Sequence, residues 1–151
     1  MTYQHADFVG LPDPELDSQF YENVPTRRLV AWVFDSIITF ALTMLASIFT
    51  LGLGFFIFGL VWLVVGFIYR TVTIGSSSAT WGMNMMGIEF RDRQGQKFSS
   101  GLSLIHTAIF TAASGTFIVQ IISAGLILMT RYGQSLPDMI LGSTAINRPV
   151  N

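Results

Sequence analysis

Four ionisable residues are placed where they could bind an ion or carry a proton. Asp35 interrupts the apolar stretch Leu29–Phe49, which directly follows Arg28. His106 lies inside the last apolar block of the chain, and Asp138 comes shortly after that block. A carboxylate inside a bilayer costs roughly 2.5–3.5 kcal/mol on insertion scales. Asp35 therefore needs a partner or a function.

Arg28 is the expected partner of Asp35. Seven residues make close to two helical turns, so both side chains point to the same side of a helix, about 10 Å apart along its axis. The two residues could form an ion pair that fixes the register of the helices. Alternatively, Asp35 could exchange a proton or bind a cation, with Thr39 and Thr43 continuing its face into the membrane. Threonine hydroxyl groups, however, also bond to carbonyl groups of their own helix.

Asp138 and His106 each have a structural and a functional interpretation. Pro137 is favoured at the start of a helix, where an aspartate in the first turn is stabilised by the helix dipole. His106 could titrate near neutral pH and serve as a proton relay. It could equally form a hydrogen bond to a neighbouring side chain.

The composition indicates a membrane protein and argues against several other classes. Hydrophobic residues make up 51% of the 151 residues and charged residues 11%, against roughly a quarter charged in soluble domains. The net charge is −1 and no long basic tract is present, so nucleic acid is not an expected partner. There is no cysteine. Because no metal-ligand spacing, nucleophile elbow or phosphate-binding loop is found, we predict no catalytic residues, no metal and no other cofactor.

Three apolar blocks predict an all-α, polytopic membrane fold. They are Leu29–Phe49, Phe55–Tyr69 and Leu102–Met129. The third block is too long for one untilted span. It could cross the membrane once, or it could form a hairpin of two short helices over residues 99–113 and 116–130.

The charge distribution favours the hairpin. With four membrane segments, all eight Lys and Arg residues lie on one side of the membrane. The positive-inside bias identifies that side as cytoplasmic. We therefore predict four membrane segments, the last two a short hairpin, with both termini cytoplasmic. Arg70, at the end of the second block, is expected to reach the membrane interface with its long side chain.

The remaining segments are polar. Residues 1–25 are acidic and contain prolines, which predicts a flexible tail before a membrane domain at 26–147 and a C-terminal tail at 148–151. Within the longest connection, residues 80–88 are expected to form an amphipathic piece on the membrane surface. Residues 88–97 are expected to form a small hairpin.

Several segments together resemble the RDD family of membrane proteins, which is named for one arginine and two aspartates. The resemblance covers residues 25–147 and is carried by Arg28–Asp35 (RLVAWVFD), Thr80-Trp81-Gly82, Gly87-Ile88, Gly95 and Leu136–Thr144 (LPDMILGST). By this match Arg28, Asp35 and Asp138 are the three namesake residues. Met83 and His106 depart from the family pattern, since a lysine and an arginine are usual at these two places.

The resemblance implies an integral protein of the cell membrane, which is the inner membrane if the organism is bacterial. Transport of undefined ligands is suggested for the family, and ion–proton exchange is reported for some members. Arg28, Asp35 and Asp138 would then form a ligand or proton site, with His106 as a proton relay. The alternative is an accessory or assembly subunit that transports nothing. Besides the lipid bilayer, we expect a homo-oligomer or a larger membrane complex, because a chain of this size cannot enclose a pathway alone.

Overall fold

The computed structural model of the chain describes residues 10–150. In that range the helices are α1 (Val24–Phe49), α2 (Phe58–Ser77), α3 (Trp81–Met85), α4 (Ser100–Ser114), α5 (Phe117–Met129) and α6 (Leu136–Leu141), and the strands are β1 (Ile88–Arg91) and β2 (Thr144–Asn147). The predicted helical class is therefore confirmed in outline. The structure also contains two strands, which pair with each other and which the all-α prediction did not include.

Within residues 10–150, two helical stretches are long and apolar enough to cross a membrane, Ser18–Phe49 and Phe58–Ser77. Pro25 lies in the first turn of α1, where its missing N–H group costs no hydrogen bond. After α1 ends, Leu51 and Gly52 both adopt positive φ angles. They turn the chain sharply toward α2.

The burial pattern of α1 is the reverse of that in a soluble protein. Its inward face is built from small and polar side chains spaced four residues apart: Ala31, Asp35, Thr39, Thr43 and Ser47. Its outward face exposes large apolar side chains, among them Trp32, Phe34, Ile37, Phe40, Leu45 and Ile48. Small inward residues let helices approach closely, and lipid can cover the apolar outward face. This pattern suits a membrane environment.

The third apolar block is divided into two helices that contact each other. Helix α4 ends at Ser114 and α5 begins at Phe117, so the block forms the two short helices of the hairpin alternative. Helix α4 packs along α2, while α5 packs against α4 and α6.

A polar cap covers one end of the four longer helices. We use the term cap for residues 78–99 and 134–147, which contain α3, α6 and the sheet. Strand β1 pairs antiparallel with β2, from Ile88 opposite Asn147 to Arg91 opposite Thr144. The predicted hairpin over residues 88–97 is therefore wrong. Residues 92–96 form only a turn, because β2 offers β1 an apolar partner whose Ala145 enters the buried core with Phe90.

The residues that precede α1 in the described range contact β2 of this cap. Residues 1–9 of the predicted flexible tail are outside the described residues. The segment that follows contacts β2, since the Asn147 side-chain amide donates hydrogen bonds to the backbone carbonyl groups of Gln19 and Glu22. The start of α1 and the end of the described chain are consequently at the same end of the molecule.

Candidate functional site

Asp35 accepts hydrogen bonds from three groups that lie outside its own helix. The hydroxyl groups of Tyr69 and Thr80 each donate to it at 2.6 Å. The backbone N–H of Gly82 donates at 2.9 Å. An ionised carboxylate has roughly four acceptor positions, so the protein itself fills most of them. The residue is only 6% exposed.

The start of α3 brings two of these donors to α1. Thr80 is the N-cap residue of α3, and its hydroxyl oxygen accepts a hydrogen bond from the N–H of Met83 while its proton is directed to Asp35. A Cβ atom on Gly82 would lie 2.4 Å from the carbonyl oxygen of Ala31 and 2.8 Å from a carboxylate oxygen of Asp35. Only glycine, which has no side chain, allows the two helices to approach this closely.

Asp138 forms a second, denser site. Its Oδ2 atom accepts hydrogen bonds from the Arg28 guanidinium group at 2.8 Å and from the Ser135 hydroxyl and backbone N–H at 2.7 and 3.0 Å. Its Oδ1 atom accepts one from the Ser143 hydroxyl at 3.2 Å and lies 2.8 Å from Nε2 of His106. The prediction that Pro137 begins a helix with Asp138 in its first turn is confirmed, and Ser135 completes a capping box there.

The environment of Asp138 keeps this carboxyl group ionised. Burial alone would raise its pKa, but the positive charge of Arg28 and the hydrogen bonds from His106 and Ser135 outweigh burial. The pKa of Asp138 is therefore well below its ordinary value. The charged carboxylate ties α1, α4 and α6 together.

His106 is enclosed between aromatic rings. Its ring centre lies 4.7 Å from that of Phe90 and 5.4 Å from that of Phe98, and the residue is 1% exposed. Within residues 10–150, its Nδ1 atom has no hydrogen-bond partner. The hydrogen-bonded neighbour considered for His106 is thus present, in the form of Asp138. The proton relay stays a prediction.

The three namesake residues occupy two sites. Arg28 and Asp138 are in direct contact, whereas Asp35 is bound by donors from α2 and α3. The predicted pairing of Arg28 with Asp35 is wrong, because the guanidinium group of Arg28 donates to the Gly133 carbonyl oxygen, the Ser135 hydroxyl and Asp138. Helix α6 brings a carboxylate to the level of Arg28, while Asp35 lies two helical turns farther along α1.

A cavity of about 720 Å³ lies beside both sites and is lined by residues of α1, α2, α4 and α5. Asp35 and His106 are among its lining residues. Much of its wall is aromatic or aliphatic, including Trp32, Trp62 and Phe110. Its volume lies within the range of roughly 300–1,000 Å³ typical of small-molecule sites.

Arg70 also lines this cavity, which sequence reasoning did not anticipate. The guanidinium carbon lies 3.8 Å from the centre of the Phe110 ring, a cation–π contact. The Nε atom is buried, and no residue of the described range accepts a hydrogen bond from it. The contact with Phe110 keeps the Arg70 side chain in the cavity wall, and its predicted reach to the membrane interface stays a prediction.

Glu89 is a third buried carboxylate, located in the cap. It accepts hydrogen bonds from Arg91 and from Arg148, the latter at 3.3 Å. Lys97 lies 3.7 Å away. Lys97 and Arg148 lie outside β1 and connect it to the residues before α4 and after β2. In residues 10–150, no group of three or more His, Asp or Glu side chains could hold a metal ion.

Comparison with known proteins gives one family. No curated protein and no solved structure matches the chain significantly. The sequence model of the RDD family matches residues 24–142, which include Arg28, Asp35 and Asp138. Together with the apolar helices α1 and α2, this match indicates an integral membrane protein. Because it covers well over half of the chain, the protein belongs to the RDD family.

Proposed function

We propose that the protein transports an ion or small ligand, and that the cavity between α1, α2, α4 and α5 is its binding site. The observation that carries this proposal is the cavity itself. It touches all four apolar helices, its volume suits a small ligand, and its wall contains a guanidinium group whose Nε donor has no acceptor among the described residues.

In this proposal Arg28, Asp35 and Asp138 form the framework of the site. Asp35 lies in the cavity wall, but three donors from α2 and α3 already bind its carboxylate. Asp138 is bound by five donors behind the wall. The two carboxylates hold the cap against the helices, so that the ligand meets a fixed surface.

We further propose four membrane segments in the cell membrane, with both termini cytoplasmic. Six of the eight Lys and Arg residues lie in the cap, at the start of α1 or just after α5, and a seventh, Arg148, directly follows the cap. The turns at residues 50–57 and 115–116 contain no charged residue. This asymmetry agrees with the positive-inside bias. A cysteine introduced near each end of this cysteine-free chain would test it, since an impermeant thiol reagent should label neither end in intact cells.

The transport proposal is tested by flux in proteoliposomes. Ala124 on α5 lines the cavity, whereas its neighbour Ile122 on the same helix is exposed and does not. Ala124→Trp should fill the cavity and strongly reduce the proton and ion fluxes of the wild-type protein, those of small anions included. Ile122→Trp adds a similar bulk outside the cavity and should leave the fluxes unchanged. Equal fluxes in the two variants would contradict the proposal.

An accessory or assembly subunit is the second candidate function. It is favoured by the large apolar side chains that α5 exposes, such as Phe117, Ile118 and Leu128, which a partner subunit or a second copy could cover. Wild-type protein that folds in liposomes but shows no flux, and that co-purifies with a fixed partner, would favour this candidate over transport.

A further inference from the structure

We infer that the cavity binds an acidic membrane lipid, with the lipid phosphate at Arg70 and an acyl chain along the apolar wall. This inference rests on the proposed function only in taking the cavity as a ligand site. It names an acidic lipid as a molecule that this site binds and Arg70 as the residue that recognises it.

The first step is the state of the Arg70 side chain. A guanidinium group carries five N–H donors in a planar fork that matches a phosphate. The guanidinium carbon lies over the Phe110 ring, which holds the side chain beside the cavity. Its buried Nε atom has no hydrogen-bond acceptor among the described residues. A bound anion would satisfy this donor.

The second step concerns the other charged groups of the wall. Arg28 also lines the cavity, but its guanidinium group is bonded to Asp138, Ser135 and a backbone carbonyl. Asp35 also lines the cavity, and its carboxyl oxygens accept three hydrogen bonds from Tyr69, Thr80 and Gly82. Unlike Arg28 and Asp35, Arg70 therefore has a hydrogen-bond donor that no described residue of the wall accepts.

The third step is the depth of Arg70 in the molecule. It lies seven residues before Ser77, the last residue of α2, which is about 10 Å along the helix axis. The end of α2 leads into the cap, which contains Arg91, Arg93 and Lys97. A phosphate at Arg70 would thus lie near the polar end of the bundle. Basic pockets between membrane helices at this level bind acidic lipid headgroups.

The fourth step is the apolar part of the wall. Trp32, Leu63, Ile121 and Leu128 line the cavity and are also exposed at the surface of the bundle. The cavity is therefore continuous with surface that lipid would cover, and an acyl chain can enter it without crossing water. Free inorganic phosphate has no chain to place there, so a lipid is the better occupant.

The experiment measures thermal unfolding of the full-length protein in a neutral detergent. Phosphatidylglycerol should raise Tm more than phosphatidylcholine with the same acyl chains. Inorganic phosphate and glycerol phosphate, which carry the anion without the chain, should give no comparable shift. Arg70→Gln should abolish the difference between the two lipids. Lys97→Gln, which removes an exposed cation of the cap outside the cavity, should retain it.

Two outcomes would overturn the inference: no preference for the acidic lipid in the wild-type protein, or the same preference in Arg70→Gln. If Arg70→Gln does not fold, Ala124→Trp decides, because filling the apolar part of the cavity should also abolish the preference. The readout is independent of flux. Lipid binding without flux would contradict only the transport proposal, and flux without lipid preference would contradict only this inference.

Discussion

The pairing of Arg28 can be tested by two double-mutant cycles. The first combines Arg28→Gln with Asp138→Asn, and the second combines Arg28→Gln with Asp35→Asn. In the structure Arg28 contacts Asp138 at 2.8 Å, whereas Asp35 accepts its hydrogen bonds from α2 and α3. The first cycle should therefore show strong coupling and the second almost none.

The expected magnitudes follow from burial and distance. Breaking a buried ion pair costs roughly 3–5 kcal/mol. We expect about 3 kcal/mol for either single substitution at the Arg28–Asp138 pair, because the Arg28 side chain is 11% exposed and Asp138 keeps its other donors. Residues in direct contact couple by roughly 0.5–3 kcal/mol, and this charge-assisted bond should fall near 2 kcal/mol. Arg28 and Asp35, about 10 Å apart along α1, should be additive within about 0.5 kcal/mol.

The assay is the free energy of unfolding in mixed micelles, obtained by titration with a denaturing detergent for the wild type, the three single variants and the two double variants. Circular dichroism of each variant at zero denaturant checks that the starting state is folded. A coupling energy for Arg28 with Asp35 equal to or above that for Arg28 with Asp138 would refute the assignment of the two sites.

Two further predictions concern the same framework. Gly82→Ala should destabilise the fold by roughly 1–3 kcal/mol, because its Cβ would lie 2.4 Å from a carbonyl oxygen of α1. The control is Gly101→Ala, whose Cβ has no neighbour within 4 Å, and this variant should be neutral or slightly stabilising. The free energies of unfolding of both variants check this, and equal effects would contradict the close approach of α3 to α1. Because the pKa of Asp138 is lowered in the folded state, its contribution to stability is complete above the ordinary value of roughly 3.9 and is lost as the pH falls toward the folded value. Unfolding between pH 3 and 7 should therefore show an acid-induced loss of stability that is smaller in Asp138→Asn, and an identical pH profile in the two proteins would contradict it.

Local signals predicted part of this fold correctly. The apolar stretch around Asp35 predicted α1, and Pro137 predicted the start of α6. Ser135 followed three residues later by Asp138 is a capping-box spacing, so this partner of Asp138 could also have been found from the sequence. These features depend on neighbours within one or two helical turns, which periodicity and capping preferences report directly.

The remaining contacts join residues far apart in the chain. Tyr69 reaches Asp35 across 34 positions, and His106 reaches Asp138 across 32. Strand β1 pairs with β2, more than 50 positions later in the chain, and not with the residues that directly follow its own turn. The Arg28–Asp35 expectation failed for the same reason, because helical spacing identifies residues on one face and cannot identify a closer partner supplied by another helix.

The two carboxylate sites stabilise the arrangement of the helices, whereas Arg70 is available to bind a ligand. Asp35 and Asp138 are buried charges whose acceptor positions are mostly filled, and removing any partner leaves a charge uncompensated in an apolar bundle. Such groups contribute to the specificity of the arrangement more readily than to its net stability. Arg70 differs, since it lines the cavity and its Nε atom has no acceptor among the described residues. Variants of the namesake residues should therefore lower the amount of folded protein, whereas variants of Arg70 should alter what the folded protein binds.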